Sequence, residues 1–515
     1  MATEAMLEAL SDLFVEDVPR AIEDRYPKVD RPYAELFKPS YNVVEDQLTK
    51  GYKAIHTFVT SVSGALRYDS SPYGPNMLEN TTAAELIAAH QTYPGVSDIP
   101  LPGLQRREIA IAKQKGNLTM NLGMIRANKL DDAIDDYPSL VLEQTAHMMA
   151  HQAAVSFYLN DSAQVIKLNA DATGVAVTRS GNAVTISLSG SPIFVEGRYR
   201  RILPGQQFDL WSADDNMTTC YTKRGWVMLD SQVDYIYPTS ATFYFKNSTD
   251  ATEFEAAVDA GMSNDVWLVP YSAILNRNSN GVNKSLMPCG YQSWLRKTGT
   301  LFGEFGDLTV ENWGSLFRSL QKSVSAQLTE SILNQYISAF QEATGVQLDS
   351  MITEHGVLNK LLDVYGLDDA GTTGSTAITR IDRTGKAEDL ELGYDRIGYR
   401  YNGRIYNLYQ SDFINPGELV VMKAGEGNLL RYQPPKLNNS SASPSSGDYP
   451  MFDSSIEWLG KQFSDSIWMP SRAVGGGPTD GVEAPFDCLK QHAAKEPRGI
   501  RLTDLTRLEV VGTDI

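Results

Sequence analysis

Two histidines four residues apart, His147 and His151 in the run HMMAH, form the first pair whose spacing could do chemistry. On a helix that offset puts both imidazoles on one face, as a zinc site requires. A zincin carries its general-base glutamate directly after the first histidine, where this chain has Met148. With six histidines in the whole chain, a third ligand is hard to nominate. A packed or partner-facing helix is the expectation. The acidic run DDAIDD (131–136) lacks the alternating oxygen ligands and the glycine of a calcium loop, and reads as an acidic helix start. Asp214-Asp215 and Asp368-Asp369 could be acid/base pairs, but their turn-like contexts point to solvated loops.

Other chemistries leave no trace. The sequence has no GxSxG elbow, no GxxxxGK[ST] phosphate loop and no GxGxxG after a strand. The stretch GEGNLL (425–430) is expected to be a hairpin turn. Cys220, Cys289 and Cys488 are far apart and odd in number, which fits a reducing cytosol. We therefore nominate no catalytic residue, cofactor or metal ligand and expect a protein that is not an enzyme. One competing reading is a carbohydrate-binding module or hydrolase, with Trp211 and Trp226 as stacking platforms.

The elements that would position such residues change type several times over 515 residues, enough for several cores. Residues 1–50 carry a helical pattern (Leu7, Leu10, Phe14, Ile22) and prolines at 19, 27, 32 and 39. The pattern predicts a helix followed by an extended arm that packs on something outside itself. Two β-leaning stretches, 53–68 and 107–125, flank a Gly/Pro-rich excursion and predict a long projecting hairpin. Pro138 and the recurrence of Leu142, Ala146, Met149, Ala153 and Phe157 predict a helix of about 22 residues, roughly 33 Å long. Residues 161–247 read as an all-β block. The passage from Leu308 to Gly345 reads as helical, with Ile332, Leu333, Tyr336, Ile337 and Phe340 as its apolar stripe and Gly345 as C-cap. A shorter helix is expected over 348–366. In IGYRYNGRIYNLYQ (397–410), Asn402-Gly403 predicts a type I′ turn that pairs Tyr401 with Arg404, Tyr399 with Tyr406 and Ile397 with Leu408. Linker-like NNSSASPSSGD (438–448) and the loop AVGGGP bracket the C-terminal segment.

The net charge of −18 sets no basic patch against nucleic acid; RRE and KQK within 106–115 are the densest basic groups. An acidic wall would still let enclosed DNA move. The N-terminus is acidic and unlike a signal peptide, and no apolar run would span a bilayer.

Taken in order, these segments resemble the major capsid proteins of tailed double-stranded DNA bacteriophages. KAIHTFVTSVSGALRY and IAIAKQKGNLTMNLGMI are similar to the two arms of that family's extended loop, YPSLVLEQTAHMMAHQAAVSFYL to its spine helix, and GNAVTISLSGSPIFVEGRYRRILPGQQFDLWSADDN to an inserted β segment. LMPCGYQSWLRKTGTLFGEFG resembles the glycine-punctuated passage that follows, and ELGYDRIGYRYNGRIYNLYQSDFINPGELVVMK the late hairpin near the axial domain. The resemblance implies an α+β chain with the Hong Kong 97-like capsid fold: N-terminal helix and arm (1–52), extended β-hairpin loop (53–126), spine helix of the peripheral domain (127–160), inserted β-rich segment (161–250), peripheral-domain continuation with a second helix (251–345), axial domain and late hairpin (346–437), and C-terminal segment (438–515). It implies a head protein assembling as hexamers and pentamers into an icosahedral shell around the genome, in the virion and built in the host bacterial cytoplasm. Its partners would be itself, a portal protein, a scaffold, here separate because the arm is short, a decoration protein, and DNA contacted non-specifically, with no membrane. An encapsulin-like compartment shell or another virion part is the alternative. The candidate interface residues are Arg67, Arg106, Arg107, Lys113, Lys115, Arg400 and Arg404. Some relatives crosslink a loop lysine to a neighbour's asparagine; no such environment is legible around Lys113 or Lys115.

Overall fold

The computed structural model describes residues 2–40, 43–46, 51–61, 103–121, 137–159, 163–168, 175–188, 194–196, 199–203, 206–212, 220–226, 228–229, 240–245, 247–260, 266–271, 273–275, 284–299, 301, 317–364, 378–381, 396–425, 427–434, 455–462, 466–472 and 478–507. The chain is α+β. It divides into two compact units, one of residues 1–54 and 109–515, the other Ile55–Glu108. The smaller unit is described through the strands Gly51–Ser61 and Gly103–Ala110, which are neighbours in one sheet. DDAIDD, Asp214-Asp215, Asp368-Asp369, the 438–448 stretch and the tip of the excursion lie outside the described residues.

In the larger unit the N-terminus departs from expectation. Helix α1 runs Ala2–Val29 with Pro19 and Pro27 inside it, and α2 follows at Arg31–Leu36. The prolines that suggested an extended arm cost α1 two backbone donors, those that would bond the Val15 and Glu23 carbonyls. The helix persists because Phe14, Val18, Ile22 and Tyr26, spaced by four, are all buried, and α1 packs on the long helix α3 (Tyr137–Tyr158). The segment thus finds its partner in its own chain. Tyr26 fixes the far end: the Lys490 ammonium donates to its hydroxyl at 2.5 Å, and the Arg431 guanidinium lies 4.6 Å from its ring centroid and pairs with Glu23.

Helix α3 has the expected length. Burial begins at Thr145 and Ala146, continues at Met149 and Ala150, and from Ala153 to Tyr158 takes in every side chain. That end is roofed by Gly290, where a Cβ would stand 2.1 to 2.6 Å from the carbonyl oxygens of Leu159, Phe157 and Ser156. Tyr291 and Trp294 then close over Phe157.

The main sheet has seven strands in the order 320–323, 499–503, 419–422, 350–353, 404–410, 396–401, 378–381. Two expectations fail here. Leu320–Ser323, expected helical, is a strand parallel to Gly499–Thr503, so the helix α5 begins only at Glu330, after the N-cap Thr329, and runs to Thr344. Ser350–Thr353, the head of the shorter helix expected over 348–366, is a fully buried central strand; only His355–Val364 (α6) is helical. Each strand is four residues long and is fixed by partners remote in sequence. Leu333, Ile337 and Phe340 of α5 and Val357, Leu358 and Leu361 of α6 meet Met351, Leu408, Val421 and Leu502 of the sheet in one core. Each such side chain contributes about 1.5–3 kcal/mol on burial.

GEGNLL is not a hairpin turn. Leu419–Met422 belongs to the seven-stranded sheet, whereas Leu429–Tyr432 pairs with Lys38–Ser40 and with the long strand Pro478–Ala494 of another sheet. The C-terminal segment is therefore central. Pro478–Ala494 also pairs with Ala112–Asn121, Ile456–Trp458 and Met469–Arg472.

The β block forms two sheets, 220–226/207–212/266–270/166–168/194–196 and 228–229/240–244/183–188/175–180. The first uses Val266–Pro270, beyond the helix α4 (Ser248–Ala260), as its middle strand. Trp211 packs in a core with Ala163, Trp267, Val269 and Ala273 and is 4 % exposed, so it offers no stacking platform. Trp226 is described only as backbone within Cys220–Trp226.

Candidate functional site

The hairpin at 396–410 closes with Asn402 at φ 49° and Gly403 at φ 74°, the positive values a type I′ turn needs, and in the expected register. Its tyrosine face turns inward: Tyr399 and Tyr406 are 1 % and 0 % exposed. Three hydroxyls meet one helix. Tyr399 donates to Asn334 Oδ1 at 2.6 Å, Gln341 Nε2 donates to the Tyr406 hydroxyl at 3.0 Å, and Tyr401 bonds Ser338. Asn334, Ser338 and Gln341 stand four and three residues apart on α5, a polar stripe beside the apolar one that reasoning on hydrophobic period passed over.

The outward face carries the exposed Arg400, Asn402 and Ile405, with Arg404 half-buried beside the turn. Next to Tyr401 lies a shallow cleft of about 690 Å³ lined by Thr329, Glu330, Ser331, Asn334, Gln335 and Ser338. One carboxylate among hydroxyls and amides provides neither a nucleophile–base pair nor a ligand set.

The remaining sequence candidates are scattered. Lys113 Nζ lies 2.5 Å from Asp487 Oδ2, a carboxylate only 2 % exposed, and Lys115 is exposed on the same strand. Arg106 and Arg107 fall in Gly103–Ala110, whose backbone alone is described there, and Arg67 lies outside the described residues. His147 is exposed. His151 is buried, bonds the Arg200 carbonyl through Nε2 at 2.7 Å and stacks edge-on against Phe413. Burial pushes its imidazole down to about 4, so it is neutral near pH 7. Among the described residues no three His, Cys, Asp or Glu side chains gather as a metal site would require. Nor does any described helix have the length and apolarity to cross a membrane.

A polar junction that motif reasoning missed sits where α1 meets α2. Asp30, the N-cap of α2, is buried and accepts from the Tyr33 amide at 3.0 Å, the Tyr158 hydroxyl at 2.7 Å and the Ser411 hydroxyl at 2.7 Å. Beside it Tyr33 bonds His492 at 2.9 Å, within an aromatic cluster that includes Phe37 and Phe157. The one legible signal was an aspartate followed by Arg-Pro, a helix-start pattern.

No protein-family profile and no curated protein matches this sequence. Solved structures do. A capsid asymmetric unit of cyanophage A-1(L) aligns over 93% of this chain and 93% of its own, at 10% identity and a TM-score of 0.41. A structure from Mycobacterium phage Patience aligns over 98% of this chain and 90% of its own, at 8% identity and a TM-score of 0.30. The holo-SrpI encapsulin complex from Synechococcus elongatus PCC 7942 aligns over 37% of this chain and 55% of its own, at 8% identity and a TM-score of 0.21.

Proposed function

We propose that this chain is a shell subunit: the major capsid protein of a tailed double-stranded DNA bacteriophage, with a Hong Kong 97-like fold. One observation carries the reading. Ile55–Glu108 separates from the rest of the chain as its own unit, entered and left by strands, and in chain order falls after the N-terminal helices and before the long helix α3. That is the place of a loop reaching over a neighbouring subunit in the resemblance drawn from the sequence. Repeated contacts of this kind are individually weak and jointly strong.

Hexamers and pentamers closing an icosahedral head would be the assembly, in the virion and built in the host bacterial cytoplasm. Arg67, Arg106 and Arg107 would act at loop contacts, Lys115 on the strand Ala112–Asn121 of the larger unit, and Arg400 and Arg404 at the hairpin edge. Lys113 lies on the same strand as Lys115, and its ammonium pairs with Asp487 of its own chain. A portal protein, a separate scaffold and a decoration protein would be partners, and the acidic chain would meet packaged DNA non-specifically. The function would be structural rather than enzymatic.

Replacing residues 55–108 with a short Gly/Ser linker tests the reading. The expected product keeps the cooperative unfolding of the larger unit and forms no shells by light scattering. Shells of normal size from the deleted chain would contradict it.

A further inference from the structure

We propose that Asp30 is a proton-controlled latch: its carboxyl holds the N-terminal helices against α3 and the loop after the hairpin when protonated, and lets them go when ionised. The placement is that of a hinge. Asp30 is the single extended residue between α1 and α2, at φ −151° and ψ 106°, and its own amide bonds the Tyr26 carbonyl at 2.9 Å. Its two oxygens join the first turn of its own helix α2 to two segments distant in sequence, the last residue of α3 and Ser411.

The groups around it are neutral or already matched. Arg31 on its own helix pairs with Glu35 at 2.7 Å. On α3, Tyr158 is held well above the ordinary phenol value by burial and stays a neutral hydroxyl. On the loop, Asp412 repels Asp30 and pairs with Arg200 at 2.5 Å. On the strand 478–494, burial pushes His492 down to about 3, so it is neutral, while Lys490 donates to Tyr26. On 429–432, Arg431 pairs with Glu23. Among the described residues, the groups bearing on the Asp30 charge are two hydroxyls, one amide and the opposing Asp412. Burial outweighs the three hydrogen bonds and raises this carboxyl to about 7. A released segment exposes it to water, where it titrates near the usual 3.8. Between those values the latched state holds a proton that the released state has lost, so the latch weakens as pH rises through that interval and is weakest above it.

Hydrogen exchange on the full chain from pH 5 to pH 8, corrected for intrinsic rates, reads the latch in peptides from residues 2–36. Protection should fall by up to about tenfold per pH unit up to roughly pH 7 and then level off. Asp30→Asn, which carries no titrating proton, should give a flat profile. A flat wild-type profile, or the same fall in Asp30→Asn, overturns the proposal. Should Asp30→Asn not fold, Tyr158→Phe decides. It removes a donor that favours the carboxylate and should carry the fall to higher pH; an unmoved curve overturns the latch.

Discussion

Asn402 and Gly403 are the two residues on which local sequence and long-range packing agree most closely. Both sit at positive φ, and only with that turn do Tyr399, Tyr401 and Tyr406 line up with Asn334, Ser338 and Gln341. Replacing both with valine forces β-branched residues into the left-handed region, at about 1–2 kcal/mol each. Chemical denaturation should show a loss of about 2–4 kcal/mol and a lower yield of assembled particles; unchanged stability would contradict the hairpin's role. At His492 the sign runs opposite to Asp30. Its imidazole is depressed to about 3 in the fold and titrates near 6.5 when unfolded. Its stabilising effect is complete above pH 6.5 and is lost as pH falls from there toward 3. His492→Gln should therefore flatten the acid limb of stability against pH by up to about 1.4 kcal/mol per unit. Equal limbs would show that His492 does not titrate on unfolding. Residues of this kind differ in how far the sequence announced them. The turn needed only its own two residues, whereas burial of Asp30 and His492 follows from elements hundreds of positions apart.

At the scale of elements, period and caps located α3 and the C-terminal end of α5, but not the start of α5 or the helix α4. The stripe in α3 was legible, and in α5 the cap Gly345, at φ 67°, was too. Four-residue strands such as Leu320–Ser323 and Ser350–Thr353 carry no readable period, and Leu320 finds its partner only at Ile500. The N-terminal prolines misled for a related reason: tertiary burial of Phe14, Val18, Ile22 and Tyr26 outweighs two lost backbone bonds. Gly290 shows packing setting a residue type. The three carbonyls at the end of α3 leave no space for a Cβ, so Gly290→Ala must move either the helix end or the passage carrying Tyr291 and Trp294. The expected cost is about 1–3 kcal/mol, read as a lower urea midpoint. A midpoint equal to wild type would mean that this junction relaxes freely.

For the molecule as a whole, the long helix α3 and the hairpin at 396–410 were legible in the sequence, and the closure of the sheets was not. Nothing local indicates that Pro478–Ala494 would run through the middle of a sheet joining residues from 38 to 494, or that Gly499–Thr503 would lie beside Leu320–Ser323. The proposed interface residues could be nominated only as basic side chains near the expected loop and the hairpin turn, because an interface with a second copy would leave no core pattern in one chain. The central claim is that identical copies close into a shell. Negative-stain electron microscopy of the full chain, purified alone and co-expressed with a scaffold, tests it most directly. Closed icosahedral particles of uniform diameter are the predicted result; discrete monomers with no particles in either preparation would contradict it.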